Sequence, residues 1–311
     1  MSFTYPIKHP QGAVSPEDLQ LLLKSKTLIA RRLAELTGEK FLADFLLQGR
    51  YDAAGGGVFY ETGTESLYTE DEPEAIEPGG EYSLTSLDEG AASAARTVKW
   101  GQGLLLTDEK VTRQGAQYVN TGLRRVGNTI IRHVDRTAMG VIASRVTSTV
   151  TAPGGAWDSA GAAMRHILKA QNERADLATG LELDVVGLTG DQFAQVIAML
   201  VDDKALPREQ ANIVLSGSLP VEALGVTWVT SPNITGTDPW LFDVEQLGGM
   251  ADEKLVSPEF APAGNTGVEA SSIRKDGGEK DGWLLRGRRV TVPIVVEPMA
   301  GARLTGSGLA P

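Results

Sequence analysis

The side chains best suited to chemistry are few and scattered. There are three histidines, His9, His133 and His166, and no cysteine. The histidine separations fit no metal-ligand spacing. Without thiols there are no disulfides, thiolate metal sites or cysteine nucleophiles. His133 and His166 fall in helical stretches, where a structural or exposed role is expected. Ser216-Gly217-Ser218 follows a candidate strand at Ile213 to Leu215, but it lacks the spacing of a nucleophile elbow and no histidine comes after it. Gly101-Gln102-Gly103 lacks the third glycine of a dinucleotide fingerprint, and no lysine-tipped phosphate loop occurs. Asp108-Glu109 is explained by its place at a helix start, and Asp202-Asp203 reads as solvated surface at a helix end. Asn233-Ile234-Thr235 matches a glycosylation sequon by chance. The expectation is no catalytic residue, no metal site and no cofactor. That favours a structural protein over an enzyme, with a hydrolase or transferase on an α/β core as the weaker alternative.

The elements that position these residues follow from spacing. Ser15-Pro16-Glu17-Asp18 reads as an N-cap, a first-turn proline and first-turn acids. Leu19, Leu22, Leu23 and Leu33 carry a helix to about Leu36, with Gly38 as its stop. A short helical stretch at Lys40 to Leu47 ends at Gly49, and Gly55-Gly56-Gly57 breaks the chain. From Val58 to Leu106 the chain makes one long extended excursion. Its tip holds Pro78-Gly79-Gly80, and it returns along Arg96-Thr97-Val98-Lys99-Trp100. Thr107-Asp108-Glu109 then caps a long helix. Val119, Leu123, Val126, Ile130, Val134, Ala138 and Val141 recur at a mean spacing of about 3.7, close to the helical 3.6. No proline interrupts Thr107 to Ser148, so the helix could reach about 42 residues, or roughly 63 Å. Gly115, Gly122, Gly127 and Gly140 weaken it by roughly 1 kcal/mol each and allow a bend or early break. Arg125, Arg132 and Arg136 lie on the side opposite the apolar stripe.

Beyond Pro153-Gly154-Gly155, strand and helix signals alternate. A helix is expected from Asp158-Ser159 to about Ala178, a strand at Asp184 to Leu188 and an amphipathic helix at Thr189 to Leu200. Further strands follow at Val226 to Val229 and Trp240 to Asp243, which together suggest a mixed α/β domain. Val268 to Arg274 and Trp283 to Val296 flank a glycine-rich turn. Pro293 marks an edge position or a bulge in the second run, and a small glycine-rich tail begins at Gly301.

Size and charge narrow the class. A chain of 311 residues can bury about three quarters of its unfolded surface and needs no staples. No apolar run is long enough to span a membrane, and the N-terminus lacks the pattern of a signal peptide, which points to a cytoplasmic product. The net charge of −11 is concentrated in one place. Glu61 to Glu89 holds ten acids, and no Lys or Arg occurs from Tyr51 to Ala95. Outside that run, 30 acids face 29 bases. Such a run reads either as a solvated loop or as an arm for a basic surface on another chain, and it disfavours a nucleic-acid binder with an exposed basic face.

The order of parts resembles the major capsid proteins of tailed bacteriophages with the Hong Kong 97 fold. Thr97-Val98-Lys99-Trp100-Gly101-Gln102-Gly103-Leu104-Leu105-Leu106-Thr107-Asp108-Glu109 is similar to the place where the extended loop returns and the spine helix begins. Asp281-Gly282-Trp283 and Arg286-Gly287-Arg288-Arg289-Val290-Thr291-Val292-Pro293 resemble the closing hairpin of capsid proteins from actinobacterial phages. The resemblance implies an α+β chain: an N-terminal arm at 1–50, an extended loop at 51–106 and a peripheral domain with the spine helix at 107–183. An axial α/β domain would occupy 184–264, a peripheral hairpin 265–300 and a tail 301–311. It further implies pentamers and hexamers closing an icosahedral shell around double-stranded DNA, assembled in the bacterial host cytoplasm, with the DNA enclosed without specific binding and no membrane involved. The partners it implies are further copies of the chain, a portal, a separate scaffolding protein and decoration proteins.

Two departures from parts of that family matter. Only about fifty residues precede the loop, so a scaffold is expected as a separate protein unless a longer precursor was trimmed. The tip from Glu65 to Gly90 has no lysine, so a lysine–asparagine crosslink through the loop is not expected. The charge pattern then suggests which surfaces meet. Some of Glu70, Asp71, Glu72, Glu74 and Glu77 of one subunit are expected to face Arg125, Arg132 and Arg136 of its neighbour, with Lys24, Lys26, Arg31 and Arg32 as the second basic candidate. Within the same fold, a cellular compartment shell of the encapsulin type is the alternative.

Overall fold

The computed structural model describes residues 16–37, 41–63, 75, 76, 78, 82, 90–203, 222, 223, 225–264, 266–275 and 281–309. His9, Ser15, Gly38, the expected strand at 213–215, Ser216-Gly217-Ser218 and most of the acidic tip lie outside these residues.

The N-terminal leucines form two helices rather than one, α1 (Pro16–Lys24) and α2 (Lys26–Thr37). Ser25 divides them. Its hydroxyl accepts from the N–H of Leu28 at 3.5 Å, which is an N-cap contact that restarts the helix. Leu23, Ile29 and Leu33 of this pair are buried. The short α3 (Leu42–Leu46) follows, then β1 (Gly49–Asp52). β2 (Gly57–Thr62) and β3 (Ala91–Arg96) pair antiparallel from Gly57↔Arg96 to Thr62↔Ala91, as a sheet of two strands. β4 (Val98–Thr107) leaves this hairpin and runs into α4 (Asp108–Arg145), a helix of 38 residues.

The expected apolar stripe of α4 is buried from Val119 to Ala138; at its C-terminal end Ile142 is buried and Val141 only half-buried. Two of its glycines have separate structural roles. Gly115 sits at φ 62° and ψ −148°, outside helical space, and kinks the helix where only glycine is unstrained. At Gly122 a Cβ would come within 2.7 Å of Leu104 Cδ2, so the missing side chain lets β4 lie close against α4.

The sheet beneath α4 is built on β13 (Gly282–Val295), a strand of 14 residues. β12 (Val268–Lys275) pairs with its first half and β10 (Gly248–Asp252) with its end. β4 covers the other side from Thr107↔Gly282 to Val98↔Thr291. β1 extends the sheet beyond β10, and β11 (Ala261–Pro262) extends it beyond β12. Pro293 lies past the last pair with β4, so the strand has a local edge there that suits a residue without an N–H. Leu106, Trp283 and Leu285 of this sheet join Leu33, Val119 and Met139 in the larger core.

The second sheet is mixed. Its order is β5 (Thr149–Thr151), β14 (Gly301–Thr305), β9 (Trp240–Phe242), β6 (Val185–Leu188), β8 (Val226–Thr230) and β7 (Glu222–Ala223). α5 (Ala160–Ala175) and α6 (Gly190–Asp202) pack with it around Ile167, Val186, Val196 and Leu241. Both helices start at side-chain caps. Ser159 accepts from Ala162 N–H, and Thr189 and Gln192 form a reciprocal capping box.

Strand pairing does not follow the segments 184–264 and 265–300. β10 and β11 belong to the first sheet, while β5 and β14 complete the second from either side in sequence. Gly301–Thr305, read from sequence as the start of a small tail, is an inner strand held between β5 and β9.

Candidate assembly surfaces

The hairpin β2–β3 stands on a narrow base. Val58, Tyr60 and Ala95 of its inner face pack against Ala53, Ala251 and Ile294. Its outer face is bare, and Phe59 is 89% exposed. At the junction with β4, the Thr97 hydroxyl donates to Glu253 Oε2 at 2.7 Å and Thr97 N–H donates to Gly56 O. Gly55 and Gly56, at φ 85° and 87°, make the opposite corner. Glu70, Asp71, Glu72, Glu74 and Glu77 lie outside the described residues.

Of the basic candidates, Arg125, Arg132 and Arg136 are all exposed on the outward side of α4, as their spacing predicts. Among the described residues none of the three makes an ion pair. The N-terminal candidates differ from one another. Arg32 is engaged with Glu35 at 2.7 Å and with Asn120, Lys26 donates to the carbonyl of Pro258, and Lys24 and Arg31 are exposed.

What spacing did not reveal is a charged cluster at the root of the arm. Arg289 of β13 has a fully buried side chain. Its guanidinium donates to both carboxylate oxygens of Asp44 in α3, at 2.7 and 3.0 Å, and to both of Asp252 in β10, at 3.1 and 3.0 Å. Arg50 adds a contact to Asp44 at 2.9 Å, and the Phe41 ring lies 4.7 Å from the Arg289 guanidinium carbon. Burial works against the charge of Arg289, but its bonds to Asp44 and Asp252 hold its pKa above the ordinary value. Nearby, the buried Asp135 of α4 accepts from Ala43 N–H at 3.0 Å and from the Asn233 amide at 3.3 Å. It thereby ties α3, α4 and the loop after β8 together, and it accounts for Asn233 as a buried bracing residue. The only sequence sign of this cluster is arginine at inward strand positions near Gly287. Its partner Asp44 is 245 residues away.

The other described chemistry-capable residues are held by packing and hydrogen bonds. His166 is buried, accepts from Trp157 Nε1 at 3.0 Å on Nδ1, and sits 2.9 Å from Val150 O through Nε2. Burial lowers its pKa, so the neutral ring that this geometry requires is favoured. His133 is exposed and meets the Trp100 ring at a centroid distance of 4.3 Å. Asp108 is held by both terminal nitrogens of Arg274, at 2.7 and 2.5 Å. Asp203, read from sequence as solvated surface, accepts from Ala160 N–H at 2.6 Å and so caps α5. Among the described residues, no cluster of His, Cys, Asp and Glu could hold a metal ion, and no helix is long and apolar enough to cross a membrane.

A family model described as phage capsid protein matches residues 90–304. The chain belongs to that family. Among curated proteins none matches it in sequence. Solved structures extend the likeness to the fold. The capsid of the cyanophage P-SCSP1u matches with a TM-score of 0.57 at 10% identity, covering 85% of this chain and 87% of that one. A virus-like particle from Pyrococcus furiosus matches with a TM-score of 0.57 at 11% identity, covering 89% and 97%. Mycobacterium phage Che8 gives a TM-score of 0.52 at 14% identity, covering 86% and 92%. At such identities the likeness is one of fold, and the fold is that of Hong Kong 97-like capsid proteins. The chain is thus a capsid shell protein of mixed helix and sheet, in a structural family of the phage virion.

Proposed function

We propose that this capsid protein is the major shell subunit of a tailed phage, closing through pentamers and hexamers into an icosahedral shell around double-stranded DNA. It is read as non-enzymatic, assembled in the host cytoplasm, with a portal, a separate scaffolding protein and decoration proteins as partners. Residues 1–50 serve as the arm and 51–106 as the extended loop. Segments 107–183 and 265–300 serve mainly as the peripheral domain and 184–264 mainly as the axial domain, with β10 and β11 lent to the first sheet and β5 and β14 to the second, so that only the residues after Thr305 are left as a tail.

The observation that carries this reading is the split of surfaces within one chain. The hairpin has no core on its outer face, its connecting segment holds nine acids, and the outward face of α4 offers Arg125, Arg132 and Arg136 without ion-pair partners among the described residues. The exposed arginines of α4 lack a charge partner among the described residues, and the acids of another copy would supply it. Single exposed pairs contribute only about 0–1 kcal/mol, but the same contact repeated around a closed shell sets register.

The test is sizing and electron microscopy of the purified chain, with its scaffold if one is required. Closed particles containing nuclease-protected DNA when produced during infection support the reading. A monomer at high concentration under every salt condition rejects it. R125E/R132E should impair assembly and leave the subunit folded, and reversing the loop acids should partly restore it. If the double reversal assembles normally at low salt, where screening is weakest, the acidic run is a solvated loop. The fold shared with the archaeal virus-like particle supports a second reading, a cellular compartment shell. Protein cargo in place of DNA would decide for it.

A further inference from the structure

Two joins hold the second sheet to the first. One is the chain itself, which crosses between them at 146–148, 243–247 and 296–300. These crossings are stitched to one another. Asp243 N–H donates to Ala300 O at 2.8 Å, Val296 N–H to Leu247 O at 3.0 Å and Arg303 N–H to Ser148 O at 2.9 Å. At Gly301 a Cβ would come within 2.9 Å of Val146 Cγ1, so the crossings also pack tightly. This waist lies at the C-terminal end of α4.

The other join is a buried carboxyl group. Asp135 stands eleven residues before Val146, about 16 Å back along the helix. Its Oδ1 accepts from Ala43 N–H at 3.0 Å, and the group also accepts from Leu42 N–H, so α4 caps the start of α3. Its Oδ2 accepts from the Asn233 amide at 3.3 Å. Asn233 lies in the loop between β8 and β9 of the second sheet. There its own N–H donates to the Ser231 hydroxyl at 3.2 Å, and Ile234 N–H donates to Ser231 O at 3.3 Å. Ile234 then enters the larger core. Apolar packing is non-directional and tolerates sliding, whereas a planar carboxyl with a donor on each oxygen does not. If α3 shifts, the carboxyl must turn to follow Ala43 and loses its line to Asn233. A buried donor left unpaired in this way is strongly disfavoured.

We propose that Asp135 is a positioning residue that couples the footing of the hairpin to the second sheet: α3 and the Asn233 loop keep their places together or lose them together. α3 leads through β1 to Ala53, on which the hairpin stands, and Asp44 of α3 is gripped by Arg289. The coupling thus runs from that footing, through one carboxyl group of α4, to a loop of the other sheet. Whatever fixes the hairpin's footing steadies the loop, and by linkage whatever fixes the loop steadies the footing by the same factor. The inference concerns a single subunit and stands whether or not the chain closes shells.

Amide hydrogen exchange of the unassembled subunit tests the coupling from both ends. N233L removes the loop's donor and keeps a side chain of similar size. It should speed exchange about tenfold at Ala43 and at Leu47, whose N–H donates to Ala43 O across α3. D44N weakens the grip of Arg289 on α3 and should speed exchange about tenfold at Asn233 and Ile234. In both variants the amides of α5 and β13 should keep their native rates. The double variant D135N/N233D exchanges donor and acceptor and should return both segments to near-native rates, which filling or emptying a cavity would not do. Exchange that rises only within 231–239 in N233L, or only within α3 in D44N, overturns the proposal. If N233L loosens the whole chain, α5 included, the native chain decides. In sub-denaturing urea Ala43, Asn233 and Ile234 should then open with one common urea dependence, and separate dependences overturn the coupling.

Discussion

β3 and β4 are separated by one residue, Thr97, and both are antiparallel strands, yet they live in different physical conditions. β4 pairs with β13 across ten positions and is pressed against α4, with Leu106 fully buried. β3 is Ala-Ala-Ser-Ala-Ala-Arg, paired only with β2, and no residue of either strand is fully buried. Branched and bulky apolar side chains give β4 a core to join, while a strand of alanines has little area to remove from water. The same polypeptide therefore builds a rooted wall and, one residue away, an arm whose outer face has no partner among the described residues. The larger the share of its contacts that an element must find elsewhere, the less its removal should disturb the isolated subunit. That rule can be tested from both sides.

The largest effect should come from the root. Replacing Arg289 by Met removes the cation shared by Asp44 and Asp252 and leaves two carboxylates partly buried without it. Breaking a buried ion pair from one side costs about 3–5 kcal/mol, so R289M should show that loss in urea unfolding of the unassembled subunit. A change under 1 kcal/mol would mean that the cluster is already open to water. The second effect sharpens the contrast at β4. L106A should cost about 2–5 kcal/mol by transfer and cavity terms, because Leu106 sits in the main core.

How much of this was legible in sequence depends on the range over which each signal acts. The spine helix, its arginine face and the amphipathic helix after Thr189 all rest on spacings of three or four residues, and they appear where those spacings predict. The closing pair β12–β13 was equally visible as two apolar runs about a turn. Contacts closed over long stretches of chain were not. Asp203 as the cap of α5, Gly301–Thr305 as an inner strand and Asp44 as the partner of Arg289 depend on which segments meet, and local periodicity carries no such information. Ser25 was missed for a different reason: one serine among leucines does not break the apolar pattern, yet the helix restarts there, with the Ser25 hydroxyl 3.5 Å from the Leu28 N–H. For the proposed assembly surfaces, the exposed arginines of α4 were readable from the helical period, and the acids proposed to meet them fall outside the described residues.

A smaller effect should come from Asp135, which joins α3 at the arm's root to the wall. Burial is the main influence on its carboxyl and raises its pKa above the ordinary 3.8, against the bonds from Ala43, Leu42 and Asn233, and Asp44 adds to the rise. The folded chain therefore holds this proton to higher pH than the unfolded chain does. The contribution to stability is complete below pH 3.8 and is lost as pH rises through the folded value. D135N cannot ionise and lacks that decline. Urea unfolding of both proteins across this range should show the difference shifting in favour of D135N as pH rises. A shift the other way would mean that the hydrogen bonds outweigh burial and the anion is the favoured form.

The smallest expected effect is the most telling for the comparison. F59A removes a ring that is 89% exposed, so it forfeits almost no burial within the subunit. Surface substitutions of this kind change stability by about 0.5 kcal/mol or less, against the several expected for L106A. Both residues belong to the same excursion of chain, and both changes delete a large apolar side chain. Only their surroundings differ. If F59A destabilised the unassembled subunit by an amount near that of L106A, the hairpin would have to fold back onto its own body in solution. The division into a rooted wall and an unpartnered arm would then fail. If F59A leaves the subunit's unfolding midpoint in place while L106A moves it, the arm's outer face contributes nothing until a second copy covers it.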